Sequence, residues 1–152
     1  ILNKRENFRA AFANFEIDKV ARFNSRSVTR LLQDAGIVRH RGKIESTINN
    51  AKRAQDLRQE FGSLAAFVWQ FEPSAKARPK TMNRAALMRL AQTPESTALS
   101  KDLKSRGWSF VGPTTVYAFM QAAGIVNDHM AGCAAQAGCA AARRTFKVPG
   151  PR

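Results

Sequence analysis

The side chains best suited to chemistry fall between Ser100 and Cys133, in the stretch SKDLKSRGWSFVGPTTVYAFMQAAGIVNDHMAGC. At its centre stand Gly112, Pro113, Thr114 and Thr115. Glycine lets another backbone approach closely, and proline suits the first position of a helix, where its missing N–H has no intrahelical partner. The free N–H groups that follow point outward toward an anion. Lys104 and Arg106 stand just ahead of this turn, so the chemistry on offer is anion binding. An ordinary helical hairpin with a Gly-Pro turn has the same residues, and the pattern alone leaves both open. Further on, His129 and Cys133 are spaced i, i+4, which puts them on one face of a helix.

The elements that must position these groups read as helices. The first ends at Gly107 and carries Lys101, Lys104 and Arg106 in its last turns, where cations suit the dipole. Trp108 to Gly112 form the turn. The second helix presents Val116, Phe119, Met120 and Ala123 and stops at Gly124. Upstream, Phe8, Ala11, Phe12 and Phe15 predict an amphipathic helix over residues 4–15. Asp18 is the expected cap of a short helical turn through Phe23, and Asn24 or Ser25 caps the next helix, which buries Val28, Leu31 and Leu32 and ends at Gly36. Ile44, Ile48, Ala51, Leu57 and Phe61 then line a long helix that Gly62 stops. Arg39, His40, Arg41 and Lys43 crowd its start, the end the dipole disfavours for cations; they read as a patch for an anionic partner or as a solvated basic face. Ser63 caps LAAFVWQF, an apolar core segment that includes Trp69. Residues 72–81 read as an exposed loop, residues 82–92 as a helical turn or two, and Thr93-Pro94 as the start of the helix before the turn. No alternating segment of useful length occurs, so the expected fold class is all-α.

Composition agrees with a folded domain that meets a polyanion. Hydrophobic residues make up 44% of the 152, with ten Phe and two Trp, enough for a core. The 25 Lys and Arg against 11 Asp and Glu leave a net charge of +14. Nucleic acid is the commonest partner for such a surface, with a membrane face as the rival. No apolar run nears the roughly 20 residues that span a bilayer. Two cysteines, Cys133 and Cys139, are not a secreted disulfide framework, which predicts an intracellular, cytoplasmic protein. The chain opens at Ile1 directly in helix-forming sequence, as a piece of a longer protein would. Residues 1–133 are expected to form one helical domain and residues 134–152 a tail, loose or modestly helical with a disordered end.

Four stretches, in order, resemble the DNA-3-methyladenine glycosylase I family of the helix-hairpin-helix glycosylase superfamily: KRENFRAAFANF (4–15), LLQDAGIVRHRGKIESTINNA (31–51), FVWQF (67–71) and the stretch from Ser100 to Cys133. The resemblance implies a helix-hairpin-helix glycosylase-like domain and a monomeric base-excision repair enzyme. Such an enzyme hydrolyses the N-glycosidic bond of 3-methyladenine in alkylated double-stranded DNA after flipping the base from the stack. A non-catalytic helix-hairpin-helix DNA-binding fragment is the alternative.

By the same resemblance Gly112, Pro113, Thr114 and Thr115 occupy the phosphate-holding turn. Lys104 and Arg106 add charge to it. Arg39, Arg41 and Lys43, at the basic start of the long helix, are further expected DNA contacts. Relatives in the superfamily use an Asp after the hairpin as base or electrostatic stabiliser; Asp128 is the acidic residue near that place, and a structural role such as a helix cap is open to it too. Tyr117 and Trp108 suit either the base pocket or the core. His129 and Cys133 match two of the four ligands of the family's structural zinc. The other two, and the aromatic and acidic residues that grip the base, belong to a family segment ahead of the part that Ile1 matches.

Overall fold

Residues 1–150 are described by the computed structural model. They form helices α1 (Arg5–Ala11), α2 (Ile17–Val20), α3 (Ser25–Gln33), α4 (Arg41–Phe61), α5 (Leu64–Val68), α6 (Arg84–Leu87), α7 (Pro94–Ser105), α8 (Pro113–Ala122) and α9 (Ala134–Thr145), joined by short 3-10 turns. No strand occurs among the described residues, as the apolar periodicity predicts.

α4 is the spine. Its buried face repeats at three- and four-residue steps through Ile44, Ile48, Ala51, Ala54 and Leu57. Ile44, Ile48 and Ala51 pack with Phe12, Val20, Val28, Leu31 and Ile37 in one apolar cluster. Leu57 belongs to a second, with Phe67, Leu99, Leu103, Val116, Tyr117, Met120, Ile125 and Val126. One helix thus joins the N-terminal cluster to the cluster beneath α7 and α8. Leu31, Leu99 and Met120 are fully buried, and each stabilises the fold by roughly 1.5–3 kcal/mol relative to an exposed side chain.

Caps set the helix starts. The His40 Nδ1 accepts the Lys43 N–H at 3.1 Å and opens α4. Asn24 and Ser27 form a reciprocal capping box on α3, and Thr93 and Ser96 form one on α7, where Pro94 takes the first helical position. Ser63 caps α5.

Ahead of α7 the structure departs from the sequence reading in four places. The helix expected over 4–15 stops at Ala11, because Ala13, Asn14 and Phe15 all take positive φ and reverse the chain. That reversal lays α2 along α4, so Val20 and Ala21 join the cluster that holds Phe12. Asp18 does not cap; it lies inside α2 and accepts hydrogen bonds from Gln55 and Arg58 of α4 at 2.8 and 2.6 Å. α3 ends at Gln33 rather than Gly36, since the Asp34 carboxylate accepts the Gly36 N–H and turns the chain. Residues 72–81 are not simply an exposed loop: Arg78 enters the interior, and the carbonyl of buried Met82 accepts the Ala131 N–H at 2.8 Å.

The tail is helical from Ala134 to Thr145, and Phe146 packs on Trp69 with ring centroids 4.9 Å apart. Arg143 donates two hydrogen bonds of 2.6 Å to Glu72. Pro151 and Arg152, included in the expected tail, lie outside the described residues.

Candidate functional site

The turn between α7 and α8 is fixed from beneath. Gly107 closes α7 at a φ of 81°, which a residue with a side chain rarely adopts; its N–H and that of Trp108 donate to the Lys104 and Leu103 carbonyls, each at 3.0 Å. Three polar residues of α4 then hold the turn. Asn49 donates to the Gly107 carbonyl at 2.8 Å. Asn50 donates to the Ser109 carbonyl at 2.9 Å and accepts the Ser109 N–H at 3.0 Å. The Ser46 hydroxyl donates to the same carbonyl at 3.1 Å and accepts from the Ser109 hydroxyl at 2.8 Å. From α7, the buried Ser100 hydroxyl donates to the Val111 carbonyl at 2.6 Å.

The upper side of the turn is open. Gly112 precedes α8 and offers no side chain to cap it, and Pro113 has no N–H. The N–H groups of Thr114 and Thr115 therefore have no partner within the helix, and both residues are exposed. The φ of Gly112 is −63°, so the conformation does not require glycine. A Cβ built at this position meets nothing within 4 Å. A side chain there would project into open space at the start of α8.

The expected cations divide into two kinds. Lys104 is exposed and makes no ion pair among the described residues, and the same holds for Lys101. Arg106 is committed to the protein: its guanidinium donates to Asp102 at 2.6 Å and to Glu60 at 2.6 and 3.3 Å, and lies over the rings of Phe61 and Phe67. Arg39 and Lys43 are exposed and make no ion pair among the described residues, whereas Arg41 has an exposed partner in Glu45 at 3.2 Å. The start of α4 lies beside the turn, since the His40 ring meets the Phe110 ring edge-on at 6.2 Å. The basic start of α4 thus lies beside the Phe110 end of the turn, and Lys104 stands in the last turn of α7 that leads into it.

Asp128 is placed inward. Its carboxylate pairs with Arg78, accepts from the Tyr117 hydroxyl at 2.7 Å and accepts from Gln121 at 2.8 Å. Arg78 also donates to the Tyr117 oxygen at 3.0 Å. Burial pushes the Tyr117 phenol up; the Arg78 hydrogen bond opposes that shift and Asp128 reinforces it. For Arg78, burial works against the charge, but the Tyr117 hydrogen bond and the Asp128 carboxylate more than offset it and raise the pKa. Both carboxylate oxygens accept from protein donors, an arrangement that ties residues 78 and 128 to α8. Tyr117 is almost wholly buried, and Trp108 packs against the cluster around Leu103 and Tyr117.

His129 and Cys133 do not share a helix face. Residues 125–133 are irregular, because Gly124, at the end of α8, and Gly132 break the helical run on either side. The His129 Nδ1 lies 2.8 Å from the Asn127 side-chain oxygen, and Cys133 is exposed. A structural zinc takes four ligands. No group of three or more His, Cys, Asp or Glu able to hold a metal forms among the described residues, so these residues do not by themselves fit such a centre.

Sequence reading passed over Ser46, Asn49, Asn50, Phe110 and Arg78. One signal was present. Asn49-Asn50 sits mid-helix between Ile48 and Ala51, where asparagine is unfavourable unless its amide is employed elsewhere.

The fold is all-helical, with a turn held from below by α4 and α7, open amides at the start of α8, and exposed cations on the adjoining helices. The chain belongs to the methyladenine glycosylase family, whose model matches residues 1–136. It is 46% identical over 134 residues to the DNA-3-methyladenine glycosylase 1 of Escherichia coli, spanning 88% of this chain and 70% of that one. Its identity to the DNA-3-methyladenine glycosylase of Haemophilus influenzae is 37%, over 88% of this chain and 71% of the relative. Among solved structures, a 3-methyladenine DNA glycosylase I at 46% identity superposes with a TM-score of 0.76, covering 88% of this chain and 72% of that one. The Staphylococcus aureus enzyme, in a structure on the basis of 3-methyladenine recognition, is 35% identical, with a TM-score of 0.80 and coverage of 89% and 71%.

Proposed function

We propose that this chain is a DNA-3-methyladenine glycosylase that hydrolyses the N-glycosidic bond of 3-methyladenine in alkylated double-stranded DNA. It acts as a monomer inside the cell. The observation that carries the reading is the turn from Gly107 to Thr115, clamped by α4 and α7 from below and open above, in a chain so similar to proteins of that name. The Thr114 and Thr115 amides would hold one phosphate of the lesion strand, in the manner of a helix-hairpin-helix motif. Lys101, Lys104, Arg39 and Lys43 would add charge that positions the strand without reading its sequence.

The reaction asks little of acid–base groups. Methylation at N3 places positive charge on the base, so the base leaves readily as a neutral purine, and water adds to the oxocarbenium-like sugar. Fixed negative charge near that sugar would stabilise the transition state. Asp128 is not assigned this role, because Arg78, Tyr117 and Gln121 occupy its carboxylate. By the family resemblance His129 and Cys133 would supply two of the four ligands of a structural zinc. No helix among the described residues is long and apolar enough to cross a membrane.

The test is release of free base. DNA treated with a methylating agent and incubated with the chain should yield free 3-methyladenine above the spontaneous rate. Salt-sensitive DNA binding without release would instead support the non-catalytic DNA-binding alternative.

A further inference from the structure

Phe110, at the tip of the turn, combines two features that are unfavourable unless something compensates them. Its φ is 57°, in the left-handed region that bulky L residues rarely enter. The residue is 55% exposed. The strain is imposed rather than incidental, since the residue before it is held by Ser46 and Asn50 and the residue after it by Ser100. Phe15 provides the internal comparison. It also has positive φ and is about half exposed, but its ring stacks on the core residue Phe12 with centroids 5.5 Å apart. Phe110 has no such core partner: a Cβ on Gly42 would lie 3.6 Å from its Cζ, and His40 meets it edge-on. The ring rests on the start of α4 and leaves its other surface to solvent.

We propose that Phe110 is a DNA-contact residue whose ring packs on a deoxyribose adjoining the phosphate held at Thr114 and Thr115. This rests on the reading that the turn binds DNA. Phe110 lies four residues before Thr114, a span of at most about 14 Å of chain. Phosphates recur along one strand about every 3.4 Å of duplex axis, so a strand held at the amides runs on past the turn and brings a neighbouring sugar within the reach of the Phe110 ring. The C–H face of deoxyribose is apolar and common to every nucleotide. The contact therefore adds affinity without sequence preference and without neutralising charge. It accounts for an aromatic ring held outward in a strained turn beside cations that serve the phosphates.

The test compares the wild-type chain with F110A and F110G by fluorescence anisotropy, using duplexes that carry a tetrahydrofuran abasic analogue in A·T-rich and G·C-rich contexts. All three proteins are measured over a salt series at a temperature where circular dichroism shows each fully folded. Both variants should bind about tenfold more weakly at every salt concentration, equally in both contexts, with the slope of log affinity against log salt unchanged. F110G relieves the backbone strain and F110A retains it, so equal losses point to the ring rather than the turn. Wild-type affinity in F110A overturns the proposal, whether or not F110G weakens. A reduced salt slope, or a loss confined to one sequence context, overturns it as well. If the wild-type chain itself shows no salt-sensitive binding, the DNA reading fails before Phe110 is tested.

Discussion

Asn50 forms a two-bond ring with the backbone of Ser109, donating to its carbonyl at 2.9 Å and accepting its N–H at 3.0 Å. The two residues are 59 positions apart, and through them α4 dictates where the turn between α7 and α8 sits. The same helix carries Ile48 and Ala51 into one apolar cluster and Leu57 into the other. The surface that faces the proposed ligand is therefore built on the most deeply anchored element of the fold.

Replacing Asn50 with Leu removes both bonds and leaves a half-buried backbone amide and carbonyl with fewer partners. Urea denaturation should show a loss of about 1–3 kcal/mol. DNA affinity should fall further than the unfolded fraction accounts for, because the Thr114 and Thr115 amides lose their fixed direction. Hydrogen exchange should quicken at the Ser109 N–H while the α8 amides keep their protection.

Arg106 and Lys104 are close neighbours with different fates. Arg106→Ala breaks the links to Glu60 and Asp102 and should lower the melting temperature while leaving the salt slope of DNA binding unchanged. Lys104→Ala should leave stability within about 0.5 kcal/mol and reduce the slope by about one. Reversed behaviour would show that Arg106, not Lys104, meets phosphate.

Asp128→Ala strands the Arg78 guanidinium, whose side chain is only 17% exposed. Removing one partner of a buried pair costs about 3–5 kcal/mol, so this variant should be strongly destabilised in a urea melt. Asp128→Asn should be milder and should keep base release where it remains folded. A stable Asp128→Asn protein without activity would return Asp128 to the catalytic candidates.

Two titrations set opposite edges of the stability profile. The Tyr117 pKa is raised in the fold, chiefly by burial. The native state therefore holds its proton more tightly than the unfolded chain, and this contribution is intact below the ordinary tyrosine value near 10 and lost as pH climbs through the higher native value. Asp18 is lowered, first by the Gln55 hydrogen bond and then by Arg58. Its contribution is present above pH 3.8 and lost as pH falls through the lower native value. Tyr117→Phe should weaken the alkaline limb of a pH–stability series, and Asp18→Asn the acid limb.

Helix type and core face were legible because they are local. The spacing of Ile44, Ile48, Ala51 and Leu57 needs no knowledge of the rest of the chain. The turn was legible as well, because Gly107, Gly112 and Pro113 each have a distinct backbone requirement or a helix-start role. The reversal at Ala13 to Phe15 was not, since positive φ at non-glycine residues is imposed by packing from outside the segment. Nor was the burial of Arg78, whose partners Tyr117 and Asp128 lie 39 and 50 residues away. The divided fate of the cations was only partly hidden: Asp102 stands four residues before Arg106 on the same helix, whereas Glu60, 46 residues away on α4, could not be placed from the sequence.

The central claim is that open amides at the turn grip a DNA strand, and Gly112→Asp tests it most directly. The position tolerates a side chain, with ordinary φ and no neighbour within 4 Å of an added Cβ, so the variant should keep its helical circular dichroism and melting temperature. Anisotropy with an abasic-analogue duplex should show salt-sensitive binding by the wild-type chain and its collapse in this folded variant. Undiminished binding by Gly112→Asp would contradict the account.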